Sequence, residues 1–539
     1  MWGAGVLGLF SLIFLSISFF DILWVMEWTL LNLFDFNFSF VFIFDFFSFF
    51  FSSVVLMIAS MIFIFGQYYM DGEKFQTGFM LILFLFVVSM LFLVYSPNLI
   101  SLLLGWDGLG LVSYLLVVYY SSFSSSVAGM LTFILNRVGD VFFLLSISLL
   151  SLTGSLDFLN FKSASFLLSV LLLLTFMTKS AQFPFSSWLP AAMAAPTPVS
   201  SLVHSSTLVT AGIFLMIRFS EVLFKISHFL IVVSLITLLM AGVMASSEWD
   251  MKKTIAFSTL SQLGFMMFSL SLGMSLYCFF HLLCHALFKA SLFMVSGVMI
   301  HNMDSSQDFR NLNIFSRMTP LISSSVVVCL LCLCGFPFVS GFFSKDLILD
   351  GASMGSFFML LFMFGVFLTT NYSLRFCFYS MKAGMLSRMK MFMFYDVVLY
   401  VMLPVWVLIS TAIFLGYTWF QVSTLVFSIS LFSSMWKGCY FSFFVLLTLV
   451  VYFVWFSVFK GTFFKSYFFW SMWYLYSLMS TRFSKLIFYS GRLVDTSQSW
   501  LEVLGAQGLY NRLLAGSLFF SSSLNFKYVY FIFPVFAAM

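Results

Sequence analysis

The sequence predicts an all-α polytopic membrane protein, and three observations carry that prediction. Of 539 residues, 62% are hydrophobic and only 8% are charged, against roughly 25% charged in a soluble domain. Apolar runs long enough to make membrane helices recur from end to end. The net charge of +5 is small and scattered, so the chain lacks the basic footprint of a nucleic-acid binder. At about 20 residues per span plus a loop, there is room for about 15 transmembrane helices. The 80 phenylalanines point to a T-rich coding sequence and carry no mechanism.

Hydropathy places spans near 3–25, 46–68, 77–95, 98–119, 130–152, 165–185, 198–218, 227–246, 255–274, 277–300, 321–343, 354–378, 396–416, 441–459 and 517–537. No Arg- and Ser-rich presequence precedes the first apolar run, Val6 to Phe20, so the chain is expected to insert where it is made. Asp45 opens the second span as a helix cap. The regions read as N-terminal membrane helices (1–95), a first half-channel repeat (96–218), a second half-channel repeat (219–378) and C-terminal membrane helices (379–459). A lateral helix (460–516) and a terminal membrane helix (517–539) complete the chain.

The stretch 460–516 mixes aromatic residues with Lys465, Arg482, Lys485, Arg492, Asp495, Glu502 and Arg512. No window in it is both charge-free and long enough to span, which fits an amphipathic helix along the membrane surface. Loops near 247–254, 302–319 and 379–395 hold Lys252, Lys253, Arg310, Arg317, Lys382, Arg388 and Lys390. Those near 219–226, 275–276 and 344–353 hold little beyond Lys225 and Lys345. The first set therefore faces the cytoplasm or the mitochondrial matrix.

Two places break the helical pattern at membrane depth: Phe183-Pro184-Phe185, and Gly335-Phe336-Pro337-Phe338. Proline frees a backbone carbonyl, which is tolerated there only where protein or a watery cavity satisfies it. Each break closes a run of about five spans, predicting two inverted five-helix repeats, each with a broken helix at a transport site.

Charges inside spans cost at least ~2.5–3.5 kcal/mol each and persist when paired, hydrated or functional. Asp107 lies mid-span, Arg137 and Asp140 lie in the next span, and Lys179 sits just ahead of the first break. Asp107 and Lys179 are expected to form an ion pair whose opening would make a proton gate. His204 follows the break. His281, His285 and Lys289, four residues apart, share one helix face and read as a proton relay. Lys345 and Asp346 follow the second break, and Asp250 and Lys252 start a helix on the positive side. No metal set, nucleophile triad or dinucleotide loop is expected, and the seven cysteines read as packed core thiols. Gly105, Gly108 and Gly110 have loop-like spacing but lie within a span.

The runs Gly105-Trp106-Asp107-Gly108-Leu109-Gly110, Asn136-Arg137-Val138-Gly139-Asp140 and Lys179-Ser180-Ala181-Gln182-Phe183-Pro184-Phe185 resemble the antiporter-like subunits of respiratory complex I. So do Pro196-Thr197-Pro198-Val199-Ser200, Lys252-Lys253-Thr254-Ile255-Ala256 and His285-Ala286-Leu287-Phe288-Lys289-Ala290. Gly341-Phe342-Phe343-Ser344-Lys345-Asp346 and the surface helix before a last span are most similar to the member of that group that carries a lateral helix. The resemblance is strong over roughly 40–350 and weaker beyond.

It implies a proton-pumping subunit of the mitochondrial inner membrane, with NADH, FMN, iron–sulfur clusters and ubiquinone in partner subunits and no cofactor here. Its implied partners are other membrane-arm subunits, above all the neighbouring antiporter-like one, together with lipids and supercomplex components. The resemblance makes Asp107 the carboxylate partner of Lys179, standing where the family usually has Glu. It places His204, His281, His285 and Lys289 on a hydrated central axis that ends at Lys345 and Asp346. Ala191 and Ala194 stand where the family usually carries two acids, and only one clear span precedes Asp45 where it commonly has two. A cation/proton antiporter subunit and a purely structural scaffold are the competing readings.

Overall fold

The computed structural model describes residues 2–20, 22–33, 36–151, 165–303, 306–312, 319–337, 339–351, 356–381, 399–426, 472–473 and 483–523. The predicted span 441–459, Cys439, and the loop residues Arg317, Lys382, Arg388 and Lys390 lie outside them. The chain divides into two units, Met1–Trp473 and Tyr474–Met539.

The first unit is a helical membrane bundle. It contains α1 (Trp2–Ser18), α2 (Phe46–Tyr69), α3 (Gln76–Tyr95), α4 (Leu99–Val117), α5 (Phe123–Ser151) and α6 (Phe166–Lys179). After the first break come α7 (Leu208–Arg218), α8 (Ser227–Ser247), α9 (Met251–Ser271), α10 (Ser275–Asn302), α11 (Pro320–Cys334), α12 (Ser340–Gly351), α13 (Ser356–Met381) and α14 (Leu399–Val426). Among the described residues, nine helices are long and apolar enough to cross a membrane. Hydrophobic side chains such as Leu104, Leu111, Leu144 and Val232 face outward, as lipid-facing helices require. The apolar stretch of α10 from Cys278 to Ile300 is wholly buried, so this helix forms the centre of the unit.

Three elements depart from the sequence expectation. The predicted first span, 3–25, ends at Ser18, and an antiparallel hairpin of β1 (Trp24–Leu33) and β2 (Phe36–Phe44) follows, so the fold is not all-α. Its cause is legible: Phe36-Asn37-Phe38-Ser39-Phe40 alternates with the period of a strand. Asn98 ties the hairpin to α4 by donating to the Ser39 carbonyl at 2.9 Å while capping the helix.

The predicted span 321–343 and loop 344–353 are instead two half-helices, α11 and α12. Gly335 takes φ +82° and closes α11, with its N–H and that of Phe336 donating to the Leu331 carbonyl. This left-handed turn favours glycine, and Pro337 blocks continuation of the helix. Lys345 therefore lies on a buried helix and not on a loop.

In the second unit, α15 (Phe483–Leu504) and α16 (Ala506–Ser523) meet at Gly505. The single lateral helix expected through 516 is thus interrupted at Gly505, and α16 runs on past Gly516. Phe488, Leu493, Trp500, Leu501, Leu509 and Leu513 are exposed on this unit.

Candidate functional site

The first group of charges is assembled by α4, α5 and α6. Three glycines let these helices approach their neighbours. A Cβ at Gly105 would lie 2.7 Å from the Leu93 backbone, one at Gly108 3.0 Å from Ser89, and one at Gly110 3.3 Å from Lys179 Nζ. The loop-like glycine spacing is therefore a packing device between membrane helices. Arg137 Nη1 lies 3.6 Å from Asp107 Oδ1 and 3.0 Å from Asp140 Oδ2. The Trp106 indole donates to Asp140 Oδ1 at 2.7 Å.

Lys179 is 1% exposed and donates to the Trp106 carbonyl at 3.3 Å, its ammonium 5.0 Å from the centre of that ring. The expected Asp107–Lys179 bridge is not formed. Arg137, one helix closer to Asp107, takes the carboxylate, and Lys179 rests on Trp106, the residue beside it.

Beyond the break, the chain makes short helical turns over 185–194 and then a π-helix over Ser200–Thr207. Wide turns of this kind recur at functional sites. Hydroxyls at five of its eight positions supply side chains that bond back to the turn, as when Thr207 donates to the Leu202 carbonyl at 2.7 Å. His204 is buried inside it, 6.2 Å from the Trp188 ring between centroids, and neither ring nitrogen has a hydrogen-bond partner among the described residues.

The stripe on α10 is as the spacing predicts. His281 and His285 stand 6.4 Å apart between ring centroids, and Lys289 continues the row, all three fully buried. His281 bonds Ser344 Oγ at 2.8 Å through Nδ1 and Gln262 Oε1 at 3.2 Å through Nε2. Lys289 donates to Ser258 Oγ. The ring nitrogens of His285 have no partner among the described residues. Lys345 donates to the Leu333 carbonyl at 2.6 Å, the acceptor that the second helix break exposes. Asp346 beside it is half-buried.

Asp250 and Lys252 stand apart from this row. Lys252 donates to the Ala195 carbonyl at 3.1 Å, and Asp250 pairs with Lys253 at 2.9 Å where the strap 307–309 meets the α8–α9 loop. Five of the six described cysteines are buried, all six are free, and no metal-holding cluster occurs among the described residues.

Sequence reasoning missed Trp106, Ser258, Gln262 and Tyr372 as partners, and the Asp45–Arg218 pair. Asp45 does cap α2, through a reciprocal bond with Ser48, and also accepts from both terminal nitrogens of the Arg218 guanidinium, one at 2.6 Å.

These features define a polytopic helical membrane protein with basic side chains buried along its core. Residues 96–371 match the family described as NADH:quinone oxidoreductase/Mrp antiporter, TM. NADH-ubiquinone oxidoreductase chain 5 of Aedes aegypti is 41% identical over 543 residues, covering 95% of this chain and 91% of that one. Chain 5 of Anopheles gambiae is 49% identical over 384 residues, 69% of this chain and 66% of that one. The Mrp complex of a Dietzia species shares the fold with TM-score 0.76 at 23% identity, over 96% of this chain and 60% of that one. The chain belongs to the NADH-ubiquinone oxidoreductase chain 5 family.

Proposed function

We propose that this chain is a proton-translocating membrane-arm subunit of NADH:ubiquinone oxidoreductase, working in the mitochondrial inner membrane. One observation carries the reading. Lys179, Lys289 and Lys345 are buried on neutral acceptors, a carbonyl, a hydroxyl and a carbonyl. No ion pair within 4 Å involves any of them among the described residues. A buried ammonium paired to a carboxylate strands that charge when it loses its proton. One held by a neutral oxygen can release and regain a proton without that penalty. The histidines between the lysines accept and donate on the same terms.

In this mechanism Asp107, Arg137 and Asp140 form a switch beside Lys179. Moving Arg137 away turns two carboxylates toward Lys179 and loads it; restoring the pair unloads it toward His204. The proton then passes by way of Lys289, His285 and His281 to Lys345 and Asp346, each group releasing one proton as it accepts the next. The Pro184 and Pro337 breaks serve the row by exposing backbone oxygens to it. The two five-helix repeats are the halves of this path, 96–218 and 219–378, and about 15 spans complete the subunit. NADH, FMN, iron–sulfur clusters and ubiquinone act in partner subunits.

Arg137 and Asp107 have side chains 40% and 35% exposed, mid-span. Lipid does not solvate such charges cheaply, so this face is where a neighbouring membrane subunit docks. Gentle solubilisation followed by native-gel electrophoresis tests the assignment. The expected result is migration in a very large band that oxidises NADH. Migration in a small complex without flavin or iron–sulfur proteins overturns it.

A further inference from the structure

A narrow cavity lies among α8, α9, α10, α11 and α13, with room for about one water molecule. Thr254, Ser258, Leu333, Tyr372 and Arg375 line it, and Phe309 from the strap 307–309 closes it. None of these residues figures in the path described above except as an acceptor, yet the cavity touches both arms of that path. Ser258 accepts from Lys289. Leu333 supplies the carbonyl that accepts from Lys345. The Tyr372 hydroxyl stands 2.9 Å from Ser261 Oγ and accepts from Gln262 Nε2 at 3.5 Å. Gln262 in turn bonds His281, which bonds Ser344 in the turn before Lys345.

The cavity is also placed near the positive side of the bundle. Arg375 donates to the Ser246 carbonyl, at the end of α8, and lies 4.3 Å from the centre of the Trp249 ring in the α8–α9 loop. Arg310 stacks on the same ring at 5.2 Å. That loop and the strap are joined by backbone bonds, Met251 N–H to the Gln307 carbonyl and Phe309 N–H to the Trp249 carbonyl. Aromatic contacts of Phe309 with Phe376 and Tyr379 close the mouth from α13.

We propose that this cavity is a second proton-access site, opening from the positive side directly onto Lys289 and His281 without passing Lys179. This rests on the pumping function proposed above. A water held by the Ser258 and Tyr372 hydroxyls delivers a proton either to the Lys289 arm or, through Ser261 and Gln262, to His281. Arg375 is the selectivity element: a fixed guanidinium at the mouth repels metal cations, whereas a proton passes as a change of hydrogen bonds. Phe309 is the cover, since it opens the short helical turn Phe309–Asn311 and does not come from a span.

Protons released per NADH oxidised by the assembled complex in sealed vesicles test the site, with Lys345→Met as reference. Tyr372→Phe and Ser258→Ala are each expected to remove the part of this subunit's share that does not pass Lys179, leaving a yield between the parent's and that of Lys345→Met. A packing defect lowers the amount of assembled complex but not protons per NADH, so the ratio separates transfer from structure. Unchanged yields in both variants beside a lowered yield in Lys345→Met overturn the access site and leave the pumping function standing. Unchanged yields in all three overturn the pumping function itself.

Discussion

Around Lys179, three further charges crowd onto α4 and α5, and two of them are more than a third exposed at the side of the unit. Around Lys289 and Lys345 the atoms that accept their bonds are neutral, a hydroxyl and a carbonyl, and the nearby charges are Asp346 beside Lys345 and Arg375 on the cavity wall. Each region contains a buried lysine beside a helix break, yet the ion pair of Arg137 with Asp107 is partly exposed. On the function proposed above, that difference gives them different work. A group of opposed charges at an interface responds to what the adjacent subunit does, whereas a neutral enclosed row only hands on what it is given.

The largest expected effect breaks the enclosed half. Lys289→Met or Lys345→Met removes a proton carrier whose nitrogen rests on a neutral oxygen. Assembly should be normal on native gels, while protons per NADH fall by this subunit's whole share. Full yield in either variant would sink the row as a path. Lys179→Met should remove only the part of that share loaded at Lys179, and it leaves Asp107, Arg137 and Asp140 as they are, so docking of the neighbour survives.

Arg137→Leu attacks the exposed half instead. It leaves Asp107 and Asp140 without their guanidinium inside a span, at about 2.5–3.5 kcal/mol for each carboxylate that stays ionised. The expected outcome is a several-fold loss of assembled complex on native gels, with Arg137→Lys recovering part of it. Trp106→Phe sharpens the same comparison at smaller cost. It deletes the indole donor to Asp140 and keeps the backbone carbonyl that receives Lys179. Losing one hydrogen bond to a charged group costs about 1.5–3 kcal/mol, read as a lower melting temperature of the solubilised complex with proton yield retained.

The sequence made the enclosed half easier to read than the exposed one. His281, His285 and Lys289 lie on one helix, so a spacing of four suffices to align them. Lys345 follows a Gly–Pro break whose local chemistry is unmistakable, although the segment after it reads as a loop because α12 is a half-helix too short for a hydropathy window. In the exposed half, which carboxylate meets which cation depends on how α4, α5 and α6 pack. Spacing in one dimension cannot say that Arg137 stands nearer Asp107 than Lys179 does. The π-helix at His204 was hidden for another reason: its wide turns change hydrogen bonding and leave the apolar pattern intact. The hairpin over 24–44 carried its signal openly, in alternating Phe36, Phe38 and Phe40, but an apolar composition this high masks a period of two.

The smallest effect comes from a charge pair that ties the end of α7 to the start of α2. Asp45 stands just before α2 and reaches Arg218 at the end of α7. Burial raises its proton affinity, but the Arg218 guanidinium and the Ser48 bonds outweigh burial, and the carboxyl is held below its ordinary value. A carboxyl depressed in the folded state contributes stability that is fully present above its unfolded value and is lost as pH falls through the folded one. Asp45→Asn keeps an acceptor for the cap and removes the charge, so it should cost about 1 kcal/mol at neutral pH. The melting difference between it and the parent should shrink as pH drops below the ordinary carboxylate range. If the difference is the same at neutral and acid pH, the pair is held by shape and not by charge. Proton yield should be untouched at either pH, because Asp45 touches no member of the buried row.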